Sequence, residues 1–195
     1  MKIIENGTIT DVKGIKATGI SAKLKKSGKK DMALIYSEEK AVSAAVFTKN
    51  LAKAAPIILD IKHINNENTQ AIVVNSGNAN SCTGDTGLAN ARKMTELVAD
   101  KLGLKAEEVL VQSTGIIGVQ LDMKKIENGI EKVVENLSED GGIDAATAIM
   151  TTDTFVKQIC LEIEIDGKKA KVAGMCKGSG MIHPNMATML SFTVT

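Results

Sequence analysis

Apolar residues along the 195-residue chain fall into short runs separated by polar turns, and two longer stretches switch to helical spacing. Residues 32–36 and 41–48 are apolar runs bounded by Ser-Gly-Lys-Lys and Ser-Glu-Glu-Lys, the pattern of strands. Residues 71–74 are too apolar to be half solvated, which predicts a buried central strand. They feed Asn75-Ser76-Gly77-Asn78-Ala79-Asn80, a turn-rich polar loop by composition. Leu88, Ala91, Met94, Leu97, Val98 and Leu102 share one stripe, predicting a helix over 88–102 with Gly103 as its left-handed stop. Residues 109–111 read as another strand. Met123, Ile126, Ile130, Val133, Val134 and Leu137 return to helical period over 121–137.

The clearest local signal is a hairpin over 155–175, because Asp166-Gly167 is a two-residue type I′ turn signature. Pairing Ile165 with Lys168 sets Glu164 opposite Lys169 and Glu162 opposite Lys171. On the other face Ile163 meets Ala170 and Leu161 meets Val172. No internal repeat or linker divides the chain. Strand groups alternating with two helices imply α+β or layered α/β.

Composition narrows the class without naming a task. Hydrophobic residues are 44% and charged residues 24%, ordinary globular usage that excludes a disordered chain or a coiled coil. Aromatics are only 2%, with three Phe, one Tyr and no Trp, so the core must be built from Ile, Val, Leu, Met and Ala. That scarcity argues against base-stacking nucleic-acid recognition. A formal charge of +1 supplies no global field for DNA or an anionic membrane. Cys82, Cys160 and Cys176 form no CxxC pair, which fits a reduced cytoplasmic setting, with the thiols acting as small hydrophobes in or near strands. Residues 1–20 lack the apolar core of a signal peptide, and no run approaches a membrane span. His63 and His183 stand far apart, so no metal site is expected.

Three segments are chemically loaded. Asn75 to Asn80 reads on composition as a plain loop. Ser113-Thr114-Gly115-Ile116-Ile117-Gly118 follows a strand; a Thr-Gly there can aim a hydroxyl and a backbone N–H at one point, the geometry of an oxyanion hole, and it is also the composition of a tight turn. It lacks the Gly-Lys-Ser/Thr of a phosphate loop. The third runs Lys177-Gly178-Ser179-Gly180-Met181-Ile182-His183-Pro184-Asn185-Met186-Ala187-Thr188-Met189-Leu190. Thr188 reads either as a β-branched residue opening a strand or as a self-cleaving nucleophile attacking the Ala187 carbonyl. Cleavage would free an α-amine with pKa about 7.7–8.0, able to act as a local base. His183, beside Pro184, reads as shaping the turn.

The run from Lys177 to Leu190, with Asn75 to Gly84 and Ser113 to Gly118, resembles the ornithine acetyltransferase family, the bifunctional glutamate N-acetyltransferases of arginine biosynthesis. Gly28-Lys29-Lys30-Asp31, Ala45-Val46-Phe47-Thr48 and Ala54-Ala55-Pro56 resemble that family in the same order, so the likeness spans the chain. It implies a layered α/β/β/α sandwich with the N-terminal half present. It implies a precursor that cuts itself between Ala187 and Thr188, giving an α-chain region over 1–187 and the start of a β chain over 188–195. Carried over by position, Thr188 is the nucleophile, Thr114 and Gly115 the oxyanion pair, and Thr154, Lys177 and Thr188 bind substrate. The implied reaction moves acetyl from N-acetylornithine to Thr188 and then to glutamate, without a cofactor; some members accept acetyl-CoA. Two α and two β chains are the implied assembly.

Residues 191–195 read as a strand that stops in mid-run, eight residues into the implied β chain, so the chain alone is expected to be poorly active and to expose apolar surface. Two rivals stand beside this reading. One is a self-processing aminopeptidase or amidase on the same sandwich, with water as acceptor. The other is a non-catalytic subunit or inactive fragment.

Overall fold

The computed structural model describes residues 1–66, 68–180 and 189–195. The expectations for His183, Ala187 and Thr188 therefore lie outside the described residues.

Among the described residues, eight strands form two four-stranded sheets. The first sheet holds β2 (Ile15–Ile20), β3 (Met32–Ala41), β4 (Thr69–Asn78) and β5 (Val109–Ile116) in that spatial order, antiparallel except for the parallel β4–β5 pair. The second holds β1 (Lys2–Ile4), β6 (Lys157–Ile165), β7 (Lys168–Lys177) and β8 (Leu190–Val194), all antiparallel. Helices α1 (Ala55–His63), α2 (Gly84–Leu102), α3 (Met123–Glu135) and α4 (Gly142–Ala148) accompany them.

Two cores follow from strand alternation. Met32, Leu34, Ala71, Val73, Val109 and Val111 point from one face of the first sheet into α1, α2 and α3, meeting Leu59, Met94, Val98, Ile126 and Ile130. The opposite residues, Ala33, Ile35 and Val74, face Cys160, Ala173, Met175 and Phe192 of the second sheet, with Ala145 and Ile149 of the α4 region closing one side. Layers of helix, sheet and sheet result, with α4 seated on β2 and β3. Gly19 permits that seat, since a Cβ there would overlap the Asp144 carbonyl.

The hairpin has the expected register throughout, and Asp166 (φ 51°) and Gly167 (φ 74°) both take the positive φ of a type I′ turn. Its charges pair diagonally, however: Lys169 reaches Glu162 at 3.0 Å, while Lys171 turns to Asp11 at 3.6 Å. Cys160 points into the core, so the apolar face carrying Leu161 and Ile163 is the outer face of the sheet. Ile3 (64%), Ile159 (48%) and Ile165 (57%) are exposed there.

Several boundaries differ from the sequence expectation. α2 begins four residues early, at Gly84, and stops at Gly103 in the left-handed region (φ 70°) as expected. Residues 42–48 are not a strand: β3 bulges between Tyr36 and Ala41, Ala41 pairs with Thr69, and β4 begins there, leaving the following residues no strand to pair with. β4 runs through Asn78 and β5 through Ile116, so both loaded segments begin inside strands. The described residues hold four α-helices where the sequence pattern predicted two. Cys160 and Cys176 lie on strands, but Cys82 is exposed in the turn before α2, at φ 56°.

Candidate active site

The parallel ends of β4 and β5 build the centre of the site. Asn75, fully buried, receives Ser113 Oγ on its Oδ1 at 2.6 Å and donates from Nδ2 to the Asn78 carbonyl at 2.8 Å. Asn78 donates to the Val119 and Gln120 carbonyls, and Asn80 donates to the Gly87 carbonyl at the start of α2. The polar run is therefore a scaffold of side-chain amides that braces the paired ends of β4 and β5, where the register shifts at Gly77 and Asn78. It brings Gly77 against Gly115, whose φ of 132° is open to glycine and whose Cβ, if present, would overlap the Gly77 backbone.

Thr114 precedes Gly115 and faces the second sheet. Lys177, the last residue of β7, donates from Nζ to Thr114 Oγ1 at 3.2 Å, with both residues buried (4% and 8% exposed). Because the ammonium donates to the threonine oxygen, the Thr114 hydroxyl keeps its own proton to donate to another acceptor. Burial lowers the Lys177 ammonium from its usual range; the Asp153 charge opposes that and the Lys157 charge adds to it.

Asp153 locks the turn that faces Lys177. Its Oδ1 accepts from Lys157 Nζ at 2.6 Å and from the Gly178 N–H at 2.9 Å, and its Oδ2 accepts from the Thr151 N–H at 3.2 Å. Burial would raise this carboxyl, but those three bonds and the Lys157 charge hold it down to about 2. Thr152 Oγ1 in turn accepts the Gly180 N–H at 3.0 Å. Thr154, which follows Asp153, is exposed.

Sequence reasoning passed over three further residues. Lys25 donates to the Lys30 and Met150 carbonyls at 2.9 and 2.7 Å, and its side chain packs behind Gly77. Its loop is knotted by buried Asp31, which accepts the N–H groups of Ala22, Leu24 and Lys25. The dense lysines of residues 23–30 hide that role in the sequence. Asp60 sits on α1 beneath β5; a lone carboxylate inside Ile57-Ile58-Leu59-Asp60-Ile61 was its signal. A cavity of about 780 Å³ opens beside the site and is lined by Thr114, Gly115, Gln112, Asp60, Leu190 and Phe192 among others. Among the described residues no cluster of His, Cys, Asp and Glu is arranged to hold a metal ion. No described helix is long and apolar enough to cross a membrane.

Comparison with known proteins places this geometry among relatives. The model of the ArgJ family matches residues 16–195. The chain is 53% identical over its whole length to the arginine biosynthesis bifunctional protein ArgJ of Caldanaerobacter subterraneus subsp. tengcongensis, covering 48% of that protein. The chain thus spans about half the length of the curated relatives it matches. It superposes on a crystal structure of the ArgJ protein of Bacillus halodurans with TM-score 0.89 at 39% identity, covering 97% of each chain. For the ornithine acetyltransferase of Mycobacterium tuberculosis, solved with ornithine, the TM-score is 0.90 at 38% identity, covering 94% of this chain and 97% of that one. The L-aminopeptidase D-Ala-esterase/amidase of Ochrobactrum anthropi, described as a variant of the Ntn hydrolase fold, shares the fold at 14% identity and TM-score 0.50. The α/β sandwich expected from the sequence is thus the fold of its structural neighbours.

Proposed function

This chain belongs to the ArgJ family, and we propose that it forms the nucleophile-bearing part of a self-processing acetyltransferase that moves acetyl from N-acetylornithine to glutamate. The observation that carries the reading is the buried Lys177–Thr114 contact beside Gly115, opening on the cavity.

Thr188, freed at its amine by cleavage of the Ala187–Thr188 bond, attacks the acetyl carbonyl of N-acetylornithine. Its α-amine takes the hydroxyl proton and passes it to the departing ornithine nitrogen, leaving acetyl-Thr188. The amine of glutamate then attacks that ester, loses its proton to the same base, and Thr188 regains its hydroxyl. The Thr114 hydroxyl and the Gly115 N–H hold the oxyanion in both halves. Lys177 attracts the substrate carboxylate as a point charge and, through Thr114, polarises the oxyanion donor. Thr154 contacts substrate. Acetyl-CoA serves as an alternative acetyl source. No cofactor takes part.

The outer face of the second sheet, with Ile3, Ile159 and Ile165 exposed, supports a partner chain as its cover. Two copies of each chain form the assembly, and the enzyme works in the cytoplasm. Incubating the protein together with its proposed partner chain, acetyl-labelled N-acetylornithine and glutamate tests the reaction. Labelled N-acetylglutamate is the expected product; labelled acetate alone would instead support the amidase reading.

A further inference from the structure

β5 lies at the edge of its sheet, so one row of its backbone groups faces away from β4. Two side chains of α1, one turn apart, meet that row. Asp60 Oδ1 accepts the Val111 N–H at 2.9 Å, and the His63 Nδ1–H donates to the Val109 carbonyl at 2.9 Å. Residues 109 and 111 present their backbone groups to the same side, so α1 replaces a neighbouring strand with one acceptor and one donor. The second carboxylate oxygen, Asp60 Oδ2, accepts Gln112 Nε2 at 2.7 Å.

Packing alone gives no reason for a carboxylate here. Asp60 is 2% exposed, and burial pushes its carboxyl up to about 7 against those two hydrogen bonds. A buried carboxylate without a cation is costly, and an apolar residue would fill the space at less expense. What the carboxylate provides is a pair of acceptors aimed at one short stretch of β5. Gln112 and Thr114 are two residues apart on one face of the strand, and both line the cavity with Asp60. Val111 and Gln112 immediately precede the segment in which Thr114 meets Lys177 and Gly115 meets Gly77.

We propose that Asp60 is a positioning residue for acetyl transfer: through the Val111 N–H and Gln112 it fixes the edge strand that presents Thr114 and Gly115 to the reacting carbonyl. This rests on the acyl-transfer reading of Thr114 and Gly115. Asp60 does not touch the reacting atoms, so its removal acts on the chemical step through strand geometry.

Kinetics and amide hydrogen exchange on wild type, Asp60→Ala and Asp60→Asn test the proposal. Asp60→Ala is expected to lower kcat about tenfold or more with KM changed less than about twofold, the mark of a loss felt in the transition state. Asp60→Asn keeps an acceptor for Val111 and is expected to recover kcat to within about threefold of wild type. Exchange in Asp60→Ala should quicken at Val111, Thr114 and Gly115 by about tenfold while Leu34 in β3 stays protected. If Asp60→Ala fails to fold, Gln112→Met severs the second link alone and should still lower kcat and quicken exchange at Thr114. Unchanged exchange at Thr114 and Gly115, or a loss confined to KM, would overturn the proposal. Should wild type transfer no acetyl, the acyl-transfer reading fails by itself, and the exchange arm still decides whether Asp60 holds the end of β5.

Discussion

Lys177 and Thr114 meet across the two sheets, 63 residues apart in sequence, with the ammonium donating to the threonine hydroxyl at 3.2 Å inside a buried contact. Each is the inward-facing residue near the end of its strand, so the contact exists only when β5 and β7 are stacked. In the proposed reaction it joins the charge that attracts a carboxylate to the hydroxyl that stabilises an oxyanion. Removing the ammonium is therefore expected to harm binding and chemistry together. Lys177→Met should lower kcat/KM by about a hundredfold or more, since losing one member of a buried charged contact costs about 2–5 kcal/mol. Lys177→Arg should not restore it, because a planar fork does not fit a site built for a point charge. Steady-state kinetics with N-acetylornithine checks both.

Gly115 tolerates no side chain. At φ 132°, with the Gly77 backbone inside the reach of any Cβ, Gly115→Ala must distort β5 or push β4 aside. A strained site of this kind costs about 1–3 kcal/mol, and melting should fall by roughly 2–4 °C per kcal/mol for a chain of this size. Acetyl transfer should fall further than stability, because the displaced atoms include the proposed oxyanion donors. Gly14→Ala, also at positive φ but in open space, is the control that carries backbone strain without the clash.

Asp60 ties stability to pH. Its carboxyl stands at about 7 in the folded chain, above the ordinary 3.8, so the folded state holds this proton more tightly. The stability it contributes is fully present below about pH 4 and is lost as pH rises through about 7. Asp60→Asn cannot ionise and removes that slope. Urea unfolding at pH 5 and pH 8 should show wild type losing stability between the two relative to Asp60→Asn. Parallel behaviour of the two proteins would contradict the shift.

Local periodicity made the hairpin and the helices α2 and α3 legible. The Asp166-Gly167 turn fixes the register of β6 and β7 because side chains alternate with period two, and the stripe through Met94 and Val98 has room for only one face. α1 escaped because Ile57, Ile58, Leu59 and Ile61 form a nearly continuous apolar run without the polar gaps that mark helical spacing. The strand expected over 42–48 failed for a nonlocal reason, since its pairing depends on where β4 begins. The Thr114–Gly115 pair was readable as an oxyanion candidate, yet its contact with Lys177 was not, because no spacing encodes the stacking of two sheets. Asn75 read as part of a plain loop, since the value of its amide lies in Ser113, a residue 38 positions away.

Thr188 carries the central claim, and mass spectrometry reaches it directly. The protein is incubated with N-acetylornithine alone, quenched in acid, and mapped beside a Thr188→Ala variant. The expected result is cleavage between Ala187 and Thr188 with one acetyl group on Thr188, and neither event in the variant. An uncut chain, or an acetyl group held on another residue while Thr188 stays unmodified, would contradict it.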